Sequence, residues 1–264
     1  MTRIRLLLDG ASEGSWNMAV DEALLESAAK TRIPSLRFYD WDQAWLSLGY
    51  FQRFGDRSQH AASLSCPVVR RASGGGAIVH DRQLTYSLAW PAPRADHGPW
   101  QQLVHDVHHA LVDALGDWCI PAAICPPASP HDALPKSDPR PTRPNTAEAA
   151  FLCFQRHEPG DVLLANPTGT HKIAGSAQRR SRGAILQHGS VQWTHSVHAP
   201  EVLGIADLAR QSRSPCELRD GWTERLTARW GGSFVVDRLS EAEIASARTH
   251  QQSRFGNPVW TARR

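Results

Sequence analysis

The spacing of apolar residues divides this chain into a helical start, a strand-rich middle and a helical end. Over residues 15–28, the run Trp16-Asn17-Met18-Ala19-Val20-Asp21-Glu22-Ala23-Leu24-Leu25 carries apolar side chains at helical spacing, which predicts a first helix with Ser15 as N-cap. Residues 36–39 and 45–50 are short apolar and aromatic runs with a polar turn between them, and 68–70 is another, so strands are expected at all three. Residues 77–79 and 84–90 flank His80-Asp81-Arg82-Gln83 and read as a hairpin. Helical spacing returns over 105–115. Residues 161–165 and 172–177 then read as strands joined through Asn166-Pro167-Thr168-Gly169-Thr170, with a further strand over 183–193. Beyond Pro200 come helices over 221–230 and 240–253, after a polar break at 210–214; Ser240 and Glu243 fit a capping box. Strands gathered centrally with helices at both ends predict an α+β layered domain.

Between two of these strands lies Arg70-Arg71-Ala72-Ser73-Gly74-Gly75-Gly76, a basic pair and a glycine triplet leading directly into Ala77-Ile78-Val79-His80-Asp81. Successive glycines cost backbone entropy on folding, so they are kept where φ must be positive or a ligand must lie against bare backbone. The triplet alone fits a flexible hairpin entry equally well. A dinucleotide fingerprint or a P-loop requires a helix opening after its glycines, and a P-loop also needs Gly-Lys-Ser/Thr. Neither is present, so any group held here is held by strand and loop backbone.

Composition adds bounds. With 264 residues, 41% hydrophobic and 21% charged, the chain has the make-up of a globular protein able to bury a full core without staples. The apolar stretch at 6–8 is too short for a signal segment or a membrane span, so a soluble cytoplasmic protein is expected, with no membrane partner. Cys66, Cys119, Cys125, Cys153 and Cys216 are scattered without a Cys-x-x-Cys, which argues against a disulfide framework or a zinc site and leaves each to be weighed as core residue or nucleophile. A net charge of +3 is too mild to imply nucleic acid but suits acidic protein partners. Eight prolines from Pro121 to Pro144 deny residues 121–147 a regular ladder, and a surface loop beside the site is expected there.

The candidate chemistry is sparse. Lys172 stands in Thr170-His171-Lys172-Ile173-Ala174-Gly175-Ser176-Ala177-Gln178, where small neighbours leave room for something else, although a strand lysine reaching solvent fits too. Cys153, in Phe151-Leu152-Cys153-Phe154, is either a small buried apolar residue or a nucleophile. His105, His108 and His109 have a spacing that places metal ligands on one helical face, but no further ligand motif accompanies them, so a solvated face and no metal are expected. His80 is expected to make a structural hydrogen bond at the hairpin, with loop orientation or proton transfer as the other role.

Arg70 to Asp81 followed by Leu84-Thr85-Tyr86-Ser87-Leu88, together with Lys172-Ile173-Ala174-Gly175-Ser176-Ala177-Gln178 and Gln187-His188-Gly189-Ser190, closely resembles the biotin/lipoate protein ligase and lipoate-transferase superfamily. Asn17 to Leu24 is similar to its first helix, and Arg254-Phe255-Gly256-Asn257-Pro258-Val259-Trp260 to its ending, so the resemblance covers nearly the whole chain. It implies one catalytic domain over 1–264, with a mixed central sheet flanked by helices as in class II aminoacyl-tRNA synthetases, and a helical segment over 200–264 packed on it.

Within that superfamily the chain looks most like the cysteine-type octanoyltransferases. It has Cys153-Phe154 19 residues before Lys172 and little chain after Trp260. The resemblance implies Cys153 and Lys172 as catalytic residues. It implies Arg70, Arg71, Ser73, Gly74, Gly75, Gly76, His80, Gly175, Ser176, Ala177, His188 and Gly189 as substrate-binding residues. It further implies transfer without a cofactor, from octanoyl-acyl carrier protein to a lysine of lipoyl domains or of glycine cleavage H protein. An ATP-dependent lipoate ligase, a lipoyl-protein amidotransferase and a non-catalytic carrier-protein binding module remain as alternatives. After Cys-Phe the chain departs from the transferase pattern, reading Gln155-Arg156-His157-Glu158-Pro159-Gly160-Asp161 where a Pro-Ser and a Tyr-Glu are usual. A thiolate accepts an acyl group from a thioester at little thermodynamic cost, but a free cysteine of pKa about 8.5 is only roughly 3% thiolate at pH 7. An ammonium about 4 Å away supplies at most roughly 4 kcal/mol toward the thiolate at an effective dielectric near 20.

Overall fold

The computed structural model describes residues 3–92, 99–127, 150–181, 183–210 and 212–264. In chain order the elements are β1 (Arg3–Ser12), α1 (Gly14–Thr31), β2 (Ser35–Trp41), β3 (Trp45–Leu48), β4 (Val68–Arg70), β5 (Ile78–His80) and β6 (Gln83–Pro91). They continue as α2 (Pro99–Gly116), β7 (Ala122–Ile124), β8 (Val162–Asn166), β9 (Gly169–Ser181), β10 (Ala184–Gln192), α3 (Ile205–Ala209), α4 (Pro215–Trp230), β11 (Ser233–Asp237), α5 (Glu241–His250) and α6 (Pro258–Thr261). An eight-stranded mixed sheet runs β11-β1-β2-β6-β10-β9-β8-β7, and a three-stranded sheet runs β4-β3-β5. The α+β architecture with a mixed central sheet and flanking helices is therefore as the sequence predicts.

Strand alternation sorts the two faces of the large sheet. Leu36 and Phe38 of β2, with Tyr86 and Leu88 of β6, pack against Val107 and Leu111 of α2 and Leu218, Trp222 and Leu226 of α4. On the opposite face, Leu7 and Leu186 pack under Met18, Val20, Leu24 and Leu25 of α1, joined by Ala247 of α5. Trp222 anchors the first face: its ring meets Phe38 at 5.7 Å and Tyr86 at 4.9 Å, both edge-on, and its Nε1 donates to the Val107 carbonyl at 2.9 Å. Truncating such a buried ring to alanine costs about 3–5 kcal/mol.

Four expectations are corrected. β5 and β6 do not form a hairpin: β5 pairs with β3 in the small sheet, while both edges of β6 are taken by β2 and β10. The link at 80–83 carries the chain from one sheet to the other, with Arg82 in the left-handed region at φ 44°. Glu13, extended at φ −65° and ψ 153°, holds the N-cap position of α1, and Ser15 lies inside the helix with its Oγ donating to Glu13 Oε1 at 2.8 Å. Within the proline-rich region, β7 does join a ladder, antiparallel to β8; residues 128–147 of that region, where the surface loop is expected, lie outside the described residues. The segment over 200–264 contains a strand, β11, parallel to β1, and neither of these two carried an expectation. β11 is an edge strand with no fully buried residue, so its sequence lacks both the continuous apolar run of a strand covered on two faces and the alternation of one covered on a single face.

The tail has a definite task. Trp260 Nε1 donates to the Arg70 carbonyl at 3.1 Å, and Arg70 Nε donates to the Thr261 carbonyl at 2.9 Å. The end of the chain thus clamps β4, the strand that delivers the glycine loop.

Candidate active site

A β-bulge brings Lys172 into the site. β8 and β9 pair Leu163 with Lys172 but Val162 with Ala174, so one extra residue of β9, Ile173, is accommodated there. In an unbroken strand Lys172 and Gly175 would face opposite sides; the extra residue lays the Lys172 side chain across Gly175 instead. Lys172 is buried and its Nζ lies 2.7 Å from Asp161 Oδ2 and 3.4 Å from Cys153 Sγ. Burial alone would lower this ammonium, yet the Cys153 sulfur and the Asp161 carboxylate outweigh burial, and its pKa is raised. Burial pushes Asp161 up, against the pull of Lys172. Gly175 has no side chain for a reason: a Cβ there would stand 2.5 Å from Lys172 Cε and 3.0 Å from Asp161 Oδ1.

Cys153 opens a single 3₁₀ turn, Cys153–Gln155, docked on the glycine loop. Its N–H donates to the Ala77 carbonyl at 2.8 Å, and the Ala77 N–H donates to the Phe151 carbonyl at 3.1 Å. A Cβ on Gly76 would meet Cys153 Cα and N at 3.0 Å, so the bare glycine is what lets the cysteine backbone lie against the loop. Gly75, at φ 94°, needs the left-handed region outright.

The thiol stands where two cavities meet. On one side is a narrow slot of about 50 Å³, lined by Met18, Tyr39, Ile78, Phe154, Ala177 and Gly189 among others. On the other is a wider, polar cavity of about 320 Å³ on the same measure, bounded by Gly74, Gly76, His108, Arg156, Asp161 and Lys172. Cys153, Gly75, Ser176 and Ala177 line both.

Both arginines of the basic pair are buried and brace the loop. Arg71 donates to the Ser47 carbonyl and Oγ and to the Gly74 and Gly76 carbonyls at 2.7–3.0 Å; burial lowers it to about 10, with the Cys153 sulfur pulling the other way. Arg70 donates to the Gly49, Tyr50 and Gln52 carbonyls and, unlike Arg71, lines neither cavity. Buried in this way, neither can meet an acidic partner.

A second buried array fastens the loop to the first helix. Ser73 Oγ hydrogen-bonds His188 Nε2, and His188 Nδ1 lies 3.0 Å from Asp21 Oδ2. A carboxylate only accepts, so Nδ1 carries a proton toward Asp21. Asp21 is also 3.2 Å from Arg37 Nη1 and 3.3 Å from the Tyr39 hydroxyl. Burial and then Asp21 raise Tyr39 well above its usual value, so it stays a phenol. His80 bonds Ser47 Oγ at 2.6 Å and the Gln83 side chain, stacks on Trp41 at 3.9 Å, and lines the slot; burial holds its pKa well below the usual value.

The structure thus gathers Cys153, Lys172, Gly74 to Gly76, His80, Gly175, Ser176, Ala177, His188 and Gly189 around the two cavities, with Ser73 one hydrogen bond behind His188. Sequence reading missed Asp161 and His108. Asp161 closes the departed loop after Pro159-Gly160, where the Glu158 N–H holds its Oδ2 at 2.7 Å. His105 and His109 are solvated to different degrees, as expected, but His108 is 2% exposed and donates through Nδ1 to the Gly160 carbonyl at 2.5 Å. Among the described residues no three metal-ligating side chains gather.

Comparison with known proteins matches this frame. The model of the lipoyl protein ligase A/B catalytic domain matches residues 13–225. The chain belongs to the lipoyl protein ligase A/B catalytic domain family. Within the family, it is 31% identical to octanoyltransferase LipM of Brevibacillus brevis over 100% of both chains. It is 31% identical to octanoyltransferase LipM of Staphylococcus aureus over 83% of this chain and 75% of that one. It is 35% identical to the Exiguobacterium sibiricum protein of the same name over 85% and 74%. Among solved structures, a putative lipoate protein ligase from T. acidophilum superposes with a TM-score of 0.74 at 22% identity, covering 100% of both chains, and shares the fold.

Proposed function

We propose that this protein is an octanoyltransferase of lipoate biosynthesis that works through an acyl-enzyme on Cys153. The observation that carries the reading is the Lys172 ammonium held 3.4 Å from Cys153 Sγ at the mouth of an apolar slot. Relatives named octanoyltransferase along most of the chain support the same activity.

In the first half-reaction the Cys153 thiolate attacks the carbonyl carbon of an octanoyl thioester. A carbon–sulfur bond to Cys153 forms, the bond to the donor sulfur breaks, and the donor leaves as a thiolate. Lys172, kept charged by Asp161, faces the sulfur and stabilises negative charge there and on the departing thiolate. In the second half-reaction an acceptor lysine, entering as the free amine after losing a proton to water, attacks the thioester carbonyl. The new carbon–nitrogen bond forms as the carbon–sulfur bond to Cys153 breaks; the nitrogen gives one of its two protons to water and keeps the other as the amide N–H, and Cys153 returns to the thiolate. The donor on this reading is octanoyl-acyl carrier protein, and the acceptor a lipoyl domain or glycine cleavage H protein, in a cytoplasmic setting. Among the described residues no helix is long and apolar enough to cross a membrane.

The test sets a thioester donor without ATP against free octanoate or lipoate with ATP, with an apo lipoyl domain as acceptor. Modification of the domain from octanoyl-acyl carrier protein alone is expected, with ping-pong kinetics. Modification only with ATP and free acid would mean a ligase, and modification only from an octanoylated lipoyl protein would mean an amidotransferase.

A further inference from the structure

Cys153 divides an apolar slot from a polar cavity, and the polar side contains unmet hydrogen-bonding capacity. His108 is 2% exposed and lines the cavity; its Nδ1 is committed as donor to the Gly160 carbonyl, and its Nε2 has no partner. With the proton fixed on Nδ1, Nε2 presents a lone pair that can only accept. Burial keeps this ring neutral, lowering its pKa to about 4, so the acceptor persists at neutral pH. Across the same cavity Arg156 Nε is also buried without a partner, and guanidinium nitrogens only donate. Leaving such groups unpaired costs about 1–3 kcal/mol each, so a ligand in this cavity that pairs both gains by it.

One lone acceptor and one lone donor beside a nucleophilic thiol complement a secondary amide, which offers one N–H and one carbonyl. On the acyl-transfer reading the apolar slot takes the acyl chain and the attacked carbonyl lies at the sulfur, which leaves the wider cavity to the departing thiol. Resting on the acyl-transfer reading above, we infer that the polar cavity binds the leaving arm of the donor, an alkyl thiol bearing a secondary amide a few bonds from sulfur. His108 Nε2 accepts the arm's N–H, and Arg156 donates to its carbonyl. The carboxylate of Asp161 and the glycine backbone complete a wall that suits an uncharged polar chain.

The experiment compares two small thioesters that differ in one group: S-octanoyl-N-acetylcysteamine, and its counterpart made from 2-mercaptoethyl acetate, in which oxygen replaces the amide N–H. The rate at which each acylates the full-length protein without ATP is followed by intact mass. The wild type is expected to prefer the amide by roughly tenfold in kcat/KM, the scale of one hydrogen bond to an otherwise unpaired group. In His108→Phe the ratio is expected to fall to about one. Arg156→Leu is expected to slow the amide thioester about tenfold relative to S-octanoyl ethanethiol, which has no amide. Equal acylation of the wild type by both thioesters retains the transferase and overturns the arm site; so does a ratio that survives His108→Phe. Acylation by neither thioester, nor by octanoyl-acyl carrier protein, overturns the transferase reading and the arm site together.

Discussion

Two arrays of similar make-up lie beside the two cavities, and they differ in what reaches them. Cys153, Lys172 and Asp161 place a thiol, a basic group and a carboxylate in a row, and so do Ser73, His188 and Asp21 with a hydroxyl in the thiol's place. Cys153 borders both cavities, whereas Ser73 is 2% exposed and borders neither. The carboxylates differ as well. Asp161 serves Lys172 and a loop N–H, while Asp21 is shared among Arg37, Tyr39 and His188 and ties α1 to β2 and β10. A nucleophile–base–acid row is therefore not by itself a catalytic device. Access and the adjoining cavities are what favour the cysteine in the proposed mechanism, in which the serine row is a strut that ties the glycine loop to α1.

The comparison breaks most simply by exchanging which row is damaged. Cys153→Ala should lower octanoyl transfer by about 10⁴-fold or more, whereas Ser73→Ala should leave the acyl-enzyme forming and slow it by roughly tenfold or less. A thioester assay with acyl-enzyme trapping checks both, and a Ser73→Ala loss as deep as that of Cys153→Ala would contradict the division of roles. Next, Lys172→Met should cost about 10²–10³-fold in acylation, because the charge beside the sulfur is lost while the volume is kept. Gly175→Ala is milder and more telling. Its Cβ would meet Lys172 Cε at 2.5 Å, the end of a flexible chain, so the lysine moves and the fold persists. Acylation should drop about ten- to a hundredfold with Tm nearly unchanged.

The remaining predictions concern stability. Asp21→Asn removes one of the two carboxylates that hold buried Arg37, leaving Asp9 2.6 Å from its Nε, and should destabilise by about 1–3 kcal/mol in urea titration, with a smaller effect on acylation than on stability. On the cysteine side, His108 titrates at about 4 when folded, through burial, against about 6.5 in the unfolded chain. Between those values the unfolded chain binds the extra proton, so this contribution is complete above pH 6.5 and is lost as pH falls. The loss reaches about 2 kcal/mol by pH 5, and His80, shifted the same way, adds to it. Urea midpoints of wild type and His108→Phe across pH 5–8 should show the smaller acid sensitivity in the variant.

Much of the site is legible in the sequence because its parts are continuous motifs. The glycine triplet and the lysine motif are each read as one run, and the small residues around Lys172 reflect atoms that would otherwise collide. What escaped was pairing between distant segments. Asp161 sits in a loop that departs from the transferase pattern, and nothing in a single sequence says that it closes onto a lysine across β8 and β9. Asp21, Ser73 and His188 each stand inside a recognised motif, yet their contact depends on α1 packing over β10. His108 was grouped with its exposed neighbours because helical spacing alone does not say which side of a histidine-rich face turns inward. The expected hairpin at 77–90 failed for a related reason: two strand runs with a short link look alike whether they pair with each other or with partners in different sheets. Edge strand β11 carried too little apolar pattern to be seen.

The central claim, that the thiol and not the serine hydroxyl or an adenylate carries the acyl group, is tested most directly by incubating the protein with octanoyl-acyl carrier protein in the absence of ATP and mapping the adduct by peptide mass spectrometry. The account predicts one octanoyl group, labile to hydroxylamine, on the peptide containing Cys153, transferred away on addition of an apo lipoyl domain. An octanoyl group on Ser73, or no adduct while transfer proceeds, would contradict it.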